Sequence, residues 1–414
     1  MLSELFSSRR RLHALRDRPR SELVEGFGRH LVQAGYAVQV ARRHVRGAEH
    51  LIDWRDRLRL PIEDLDDAAL GRFAGHIRRC GCRDYGPVRS ATALPGARNF
   101  FEYLRQTRVI NTSKTGVAQD PVLLTSFGQW MRQQRGTSDV TLAKYRPEIG
   151  KLLLRAHEDA KQINASLLRE LVFEKHRTAG PSMVGICTHA LRMFIRFLIV
   201  TGRCPSGLDA AIPTIAHWEL APLPRYLPAD EVERLVTTCN RPTRVGRRNH
   251  AILLLLARLG LRAGEIVHLR LGDIDWADAS IRVCGKGHRP MRLPLSQEVG
   301  QALLAYLQHG RPRTSTDAFF VTSRAPFRAL GGASTVSVLV VDEMRRAGVA
   351  RPSRGAAHVL RHSVATNLLR QGVSLQDIQA LLRHQSVKTT QIYAKVDVAA
   401  LREIAQPWPE VSPC

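Results

Sequence analysis

Lysine is scarce in this chain: eight lysines stand against 54 arginines in 414 residues. Between residues 176 and 387 the only ammonium group is Lys286. Acidic residues are also few, 37 against 62 basic ones, which leaves a formal charge of +25 and a pI near 10.9. A field of that size excludes an ordinary neutral surface and favours a polyanionic partner, most commonly nucleic acid. Long hydrophobic runs are missing. The longest, Ala251–Ala257, is far too short to cross a bilayer and reads as a buried helix, so no membrane partner is expected. Arg9-Arg10-Arg11 is followed by polar residues, so no secretory signal is expected either. The seven cysteines are odd in number and scattered, which argues against a disulfide framework and for reduced thiols in a cytoplasm. Cys80-Gly-Cys82 is tighter than the usual zinc pair and no second cysteine pair accompanies it, so no metal site is expected. Aromatics make up 6% of the chain and fall at helical spacing, which suits core packing better than base stacking.

What is present is a long, mostly helical pattern with 44% apolar residues, enough for two or three cores. Phe27-Gly-Arg-His-Leu31 and Phe127-Gly-Gln-Trp-Met131 stand one hundred positions apart. Each opens a helical stretch that closes on an aromatic helix, Phe100-Phe-Glu-Tyr-Leu104 and Phe194-Ile-Arg-Phe-Leu198. Two related four-helix modules are predicted, near 20–108 and 120–204. A proline-rich linker over 205–224 follows, with Pro213, Pro222 and Pro224. Beyond 225 helices alternate with a strand-rich patch. Ser280–Cys284, Gly285-Lys286-Gly287 and Arg289–Leu295 predict a β-hairpin with Lys286 at its tip. The expected fold is mainly α with a small β-sheet in the last domain, an α+β arrangement.

The last domain holds the residues with chemistry. Arg262 lies in Leu259-Gly260-Leu261-Arg262-Ala263-Gly264-Glu265, and further on come His358-Val-Leu-Arg361-His362, His384 and Tyr393. Guanidinium forks match the two non-bridging oxygens of a phosphodiester, so Arg262 and Arg361 are candidate phosphate clamps. Glu265 could buttress a guanidinium or be an ordinary surface charge. A phenol with pKa about 10 needs help to act as a nucleophile, and the histidines and arginines supply it to Tyr393. His358 and Arg361 share one face of a helix, and from there His358 can accept the tyrosine proton or position the phosphate. His362, one residue on, is expected to point away from that face and serve structure. No carboxylate cluster accompanies these motifs, so neither a catalytic metal nor a cofactor is expected.

The ordered series Arg262, Lys286, His-x-x-Arg-His, Leu-Leu-x-His and Tyr393 over residues 225–397 resembles the catalytic domain of the tyrosine recombinase, or phage integrase, family. The resemblance implies a catalytic set of Arg262, Lys286, His358, Arg361, His384 and Tyr393. Tyr393 would form a 3′-phosphotyrosyl bond on double-stranded DNA, Lys286 would protonate the leaving 5′-oxygen, and His384 would donate to a non-bridging oxygen. It further implies a helical core-binding domain at 118–204, a catalytic domain at 225–414 and an additional N-terminal module at 1–115. Four copies on two DNA sites, no ATP, and a role in moving a mobile element also follow. A relaxing enzyme of the type IB topoisomerase kind or a DNA-binding regulator that does not cut remain alternatives. One position departs from the family: the glycine usual before the second histidine is Arg383 here.

Overall fold

The structure, a computed structural model, describes residues 2–6, 13, 20–82, 90–110, 121–214, 224–239, 241–285, 290–352, 355–384 and 387–395. The fold is mostly helical, with one three-stranded antiparallel sheet. The chain divides into two compact units, one of Lys114–Ala221 and one of Met1–Ser113 with Pro222–Cys414.

The N-terminal segment contributes α1 (Leu2–Leu5), α2 (Ser21–Gln33), α3 (Val38–Arg57), α4 (Asp67–Arg78) and α5 (Ser90–Gln106). Asp66 starts α4 by accepting the Ala69 amide at 2.6 Å, which satisfies one of the donors a helix start leaves open. Phe27 is fully buried and meets Phe100 edge to face at 5.2 Å and Tyr103 at 5.6 Å. At α2's end Gly35 takes the left-handed conformation (φ +79°) against the Phe327 ring, where a Cβ would sit 2.6 Å from that ring.

The second unit repeats this plan with α6 (Val122–Arg135), α7 (Asp139–Arg155), α8 (Ala165–Thr178) and α9 (Pro181–Val200). Ser138 and Asn164 cap α7 and α8, and Pro181 occupies the first turn of α9, where its missing N–H costs nothing. Phe127 meets Phe194 edge to face at 5.4 Å and Phe197 at 5.8 Å, the counterpart of the Phe27 cluster. By length and composition α9 is apolar enough to cross a membrane. Its Val184, Leu191, Phe194 and Leu198 are instead buried in the core of this unit.

Residues from 224 onward build α10 (Ala229–Thr237), α11 (Arg244–Ala257), α12 (Ala263–His268), β1 (Ile274–Asp275), β2 (Ser280–Cys284) and β3 (Pro290–Pro294). They continue with α13 (Gln297–His309), α14 (Ala333–Arg346), α15 (Ala356–Arg370), α16 (Leu375–Leu382) and α17 (Val387–Ala394). The run 251–257 on α11 is buried on every side, as its unbroken apolar character requires. In β2, Ile281 and Val283 face the core while Arg282 faces out, and β3 pairs with β2 in the register Ile281↔Leu293 and Cys284↔Pro290. The hairpin tip with Lys286 lies outside the described residues. Helix α15 packs against α10, α11, α14, α16 and α17, so it is the axis of this domain. The entering chain is fastened to it twice. The Leu227 amide donates to Ser363 Oγ at 2.7 Å, and the Arg370 guanidinium lies 4.8 Å over the Tyr226 ring.

Phe127→Ala should cost about 3–5 kcal/mol of stability, because it opens a cavity in a fully packed aromatic cluster. Val122→Ala, on the surface of the same helix, should stay within about 0.5 kcal/mol. Urea unfolding of both variants checks this, and equal losses would show that Phe127 is not a core anchor.

Candidate active site

Five of the six expected catalytic residues are described, and all five converge around α15. Arg361, on α15, is only 1% exposed. Its Nη1 donates to the carbonyl of Gly260 and its Nη2 to the carbonyl of Leu382. One guanidinium therefore holds both the turn that leads into Arg262 and the helix end that leads into His384. Gly260 makes that turn possible. It sits at φ +57°, and a Cβ there would lie 2.7 Å from Leu382 Cδ2.

Arg262 precedes α12 and is the more open guanidinium, its side chain 34% exposed against 3% for its partner Glu265. Glu265 Oε1 takes Arg262 Nη1 at 2.8 Å, and Oε2 takes the Arg262 backbone N–H at 2.8 Å. Glu265 is thus a buttress rather than a surface charge. It also pairs with Arg383 Nη2 at 2.9 Å. The departure at residue 383 explains itself here. Arg383 adopts the left-handed conformation (φ +55°) at the end of α16, where a glycine costs least. Its side chain is buried against Glu265 and does not extend to solvent as a DNA contact. Gly285, just before Lys286, borders the same carboxylate: a Cβ there would stand 3.8 Å from Glu265 Oε1.

Tyr393, on α17, is 1% exposed and belongs to a small core with Val364, Ala365, Leu369, Ile378 and Leu382. Its hydroxyl lies 2.8 Å from His362 Nδ1. The expectation that His362 points away from the chemistry is therefore corrected. Helix α17 crosses α15 on the side where residue 362 projects, so the phenol meets His362 rather than His358. His358 stacks edge to face on His362 at 4.4 Å between ring centres. His384 lies nearly parallel to the Tyr393 ring at 6.4 Å, and its Nδ1 is 2.8 Å from Thr390 Oγ1.

Burial sets the protonation of this cluster. It pushes the Tyr393 hydroxyl up to about 12, opposed by the charge of Arg361. It holds His362 down to about 4 and His384 to about 3, with nearby imidazoles and guanidiniums adding to the effect, and lowers His358 as well. At pH 7 the three imidazoles are neutral and the phenol keeps its proton. Burial, reinforced by Arg262 and Arg383, brings Arg361 to about 9. Arg262 and Arg383 share one carboxylate while Arg361 lies buried on backbone carbonyls, so positive charge exceeds negative at the site.

The phage integrase family model matches residues 225–399. The integrase/recombinase named y4rA from Sinorhizobium fredii is 34% identical over 92% of this chain and 93% of its own length. A tyrosine recombinase XerC from Anoxybacillus flavithermus is 30% identical over 68% of this chain and 95% of its own. Among solved structures, the XerH site-specific recombinase covers 84% of this chain at 20% identity with a TM-score of 0.55, and 99% of XerH is covered. Lambda integrase, residues 75–356, covers 70% at 18% identity with a TM-score of 0.51, and 98% of that chain is covered. These two likenesses speak for the fold. The chain belongs to the phage integrase family of tyrosine recombinases, enzymes that cut and rejoin DNA.

Two outcomes are expected from this geometry. Glu265→Ala should lose more stability than Arg383→Gly, because it leaves two guanidiniums without their carboxylate, whereas Arg383→Gly leaves Glu265 paired with Arg262. The first should cost about 3–5 kcal/mol, and in the second the relief of left-handed strain, about 1–2 kcal/mol, offsets part of the loss. Urea unfolding ranks them, and the reverse order would sink the assignment of Glu265 as the shared partner. The second outcome concerns pH. Imidazoles lowered in the folded state bind fewer protons there than when unfolded. Their stabilisation is whole above about 6.5 and is lost as pH falls toward 4 for His362 and 3 for His384. The melting midpoint should therefore fall below pH 6.5, and more shallowly in a His362→Gln, His384→Gln variant. Parallel curves would contradict it.

Proposed function

We propose that this chain is a site-specific recombinase acting on double-stranded DNA, in which Tyr393 attacks the scissile phosphate and becomes joined to its 3′ side. The observation that carries this reading is the phenol of Tyr393 held 2.8 Å from a neutral His362 beside clustered guanidiniums. A hydroxyl raised to about 12 is almost fully protonated at pH 7, so its proton must leave as it attacks. His362 Nδ1 is placed to take it. The O–P bond to Tyr393 forms as the bond to the 5′-oxygen breaks, and Lys286 delivers a proton to that leaving oxygen. Arg262, open to solvent, meets the non-bridging oxygens first. Arg361 has a second hydrogen on each terminal nitrogen and adds charge from below. His384 donates to a non-bridging oxygen, and His358 steadies the His362 ring. The freed 5′-hydroxyl then attacks a partner phosphotyrosine, so the bond energy is conserved and no ATP or catalytic metal is needed.

The scale of the charge, +25, supports a partner of dense negative charge, with phosphate contacts dominating affinity. The XerH structure is of a complex with palindromic difH substrate after cleavage, and the lambda integrase structure is of a dimer on a core site. By family resemblance the working form is a set of four copies on two DNA sites in the cytoplasm, integrating, excising or transposing a mobile element. Residues 118–204 form the core-binding domain, 225–414 the catalytic domain, and 1–115 an additional module. A relaxing enzyme and a regulator that does not cut are not favoured by this family membership.

A suicide substrate nicked near the cleavage point separates the roles. Tyr393→Phe should bind DNA and give no covalent adduct on a denaturing gel. His362→Ala should slow adduct formation by about 10²–10⁴-fold. With a 5′-bridging sulfur, Lys286→Ala should recover and Arg361→Ala should not, because a thiolate leaves without a proton while the arginine acts on other oxygens. An adduct from Tyr393→Phe would refute the nucleophile, and failure of both variants on the sulfur substrate would refute the role of Lys286.

A further inference from the structure

Far along the chain from the catalytic residues, two histidines and two cysteines meet in the first helical module. His50 on α3 and His76 on α4 bring their Nε2 atoms to 3.3 Å. Cys80 Sγ lies 3.4 Å from His50 Nε2, and Cys82 Sγ lies 3.7 Å from His76 Nε2. All four donor atoms fall within 4.8 Å of one another. A tetrahedral ion with bonds of about 2.0–2.1 Å to nitrogen and about 2.3 Å to sulfur implies edges of about 3.3 Å between nitrogens and about 3.6 Å between nitrogen and sulfur. The nitrogen–nitrogen spacing of 3.3 Å and the nitrogen–sulfur spacings of 3.4 and 3.7 Å match those edges. The expectation of no metal at Cys80-Gly-Cys82 rested on its tight spacing and on the missing second cysteine pair. The two remaining ligands are histidines, brought from separate helices.

The surroundings suit an ion. His50 is buried. Arg57 Nη1 approaches Cys82 Sγ at 3.1 Å. Phe73 packs edge to face on His50 at 5.3 Å and Trp54 lies 5.4 Å from Phe73, so the site is walled by aromatic rings.

The second module shows what this place in the fold is for. Asp66 and Asn164 cap α4 and α8, 98 residues apart. In that register His50 corresponds to Glu148, His76 to Glu174 and Arg57 to Arg155. There Glu148 pairs with Lys175 at 2.6 Å and Arg155 with Glu174 at 2.5 Å, so ion pairs pin the helix α8 to α7. The first module has imidazoles where the second has Glu148 and Glu174, and its two thiols stand where the second has Thr178 and Gly180.

We propose that His50, His76, Cys80 and Cys82 bind a zinc ion as a closed, structural site that clamps α4 and the residues after it onto α3. Four protein donors leave no open position, so the ion has no part in strand cleavage.

Full-length protein, purified reduced and without added chelator, should contain about one zinc per chain by inductively coupled plasma mass spectrometry. Exchange with Co²⁺ should give the visible bands of tetrahedral cobalt together with sulfur-to-cobalt charge transfer. Cys80→Ser with Cys82→Ser should lose the metal and the charge-transfer band, and Cys284→Ser should keep both. A native protein that neither carries zinc nor gives the tetrahedral cobalt spectrum overturns the proposal, whatever the variants do. So does a Cys80→Ser, Cys82→Ser protein that keeps both. If that double variant does not fold, His76→Asn takes its place, with a cobalt spectrum changed from the native one as the expected result and an unchanged one as the refutation.

Discussion

The catalytic region depends on a single buried cation. Arg361 sits at the centre of α15 and donates to the carbonyls of Gly260 and Leu382, which lie 101 and 21 residues away in the chain. Burying a guanidinium is unfavourable unless its donors are satisfied, so the fold must bring those two carbonyls to it. Satisfying them fixes the turn before Arg262 and the end of α16 before His384. The positions of the other functional groups follow from that requirement.

The same constraint leaves charge unbalanced. Arg262, Arg361 and Arg383 surround Glu265, and one carboxylate cannot neutralise three guanidiniums. Burial first, and then repulsion from Arg262 and Arg383, lowers Arg361 to about 9. Stability alone would favour a second carboxylate or an apolar replacement. An anion arriving from outside removes the repulsion, which makes the unliganded site a preorganised receptor for phosphate. Arg383 tunes this balance: it adds charge but spends most of its reach on Glu265, leaving Arg262 as the exposed member.

Much of this was legible in the sequence, for physical reasons. Helical spacing placed His358 and Arg361 on one face, alternation in Ser280–Cys284 placed the hairpin, and the isolation of Arg262 in apolar surroundings demanded a partner that proved to be Glu265. What was not legible depended on the approach of distant elements. Residue 362 was assigned to structure from its place one residue after Arg361, but it is four residues after His358 and shares that side of α15, where α17 brings Tyr393 to it. The aim of Arg383 was hidden because its backbone is left-handed, which turns the side chain inward. The His50 and His76 cluster was hidden because its donors come from helices 26 residues apart, a spacing no short motif contains.

The two helical modules show how one scaffold tolerates different fastenings. Each anchors its first helix through an aromatic trio, Phe27, Phe100 and Tyr103 in one and Phe127, Phe194 and Phe197 in the other. The hydrophobic part of the fold is thus the same, and it does not fix how the third helix meets the second. That contact has a polar part in both. In the second module it is made by long, flexible charged side chains, and the Arg155–Glu174 pair is exposed enough to be screened by salt. In the first, four short side chains with soft donors converge on one point. A zinc ion held there, as proposed, would join the helices through metal–ligand bonds, which salt does not screen as it screens an exposed ion pair. A protein that works against the salt-dependent field of DNA has use for a module whose internal geometry does not change with ionic strength.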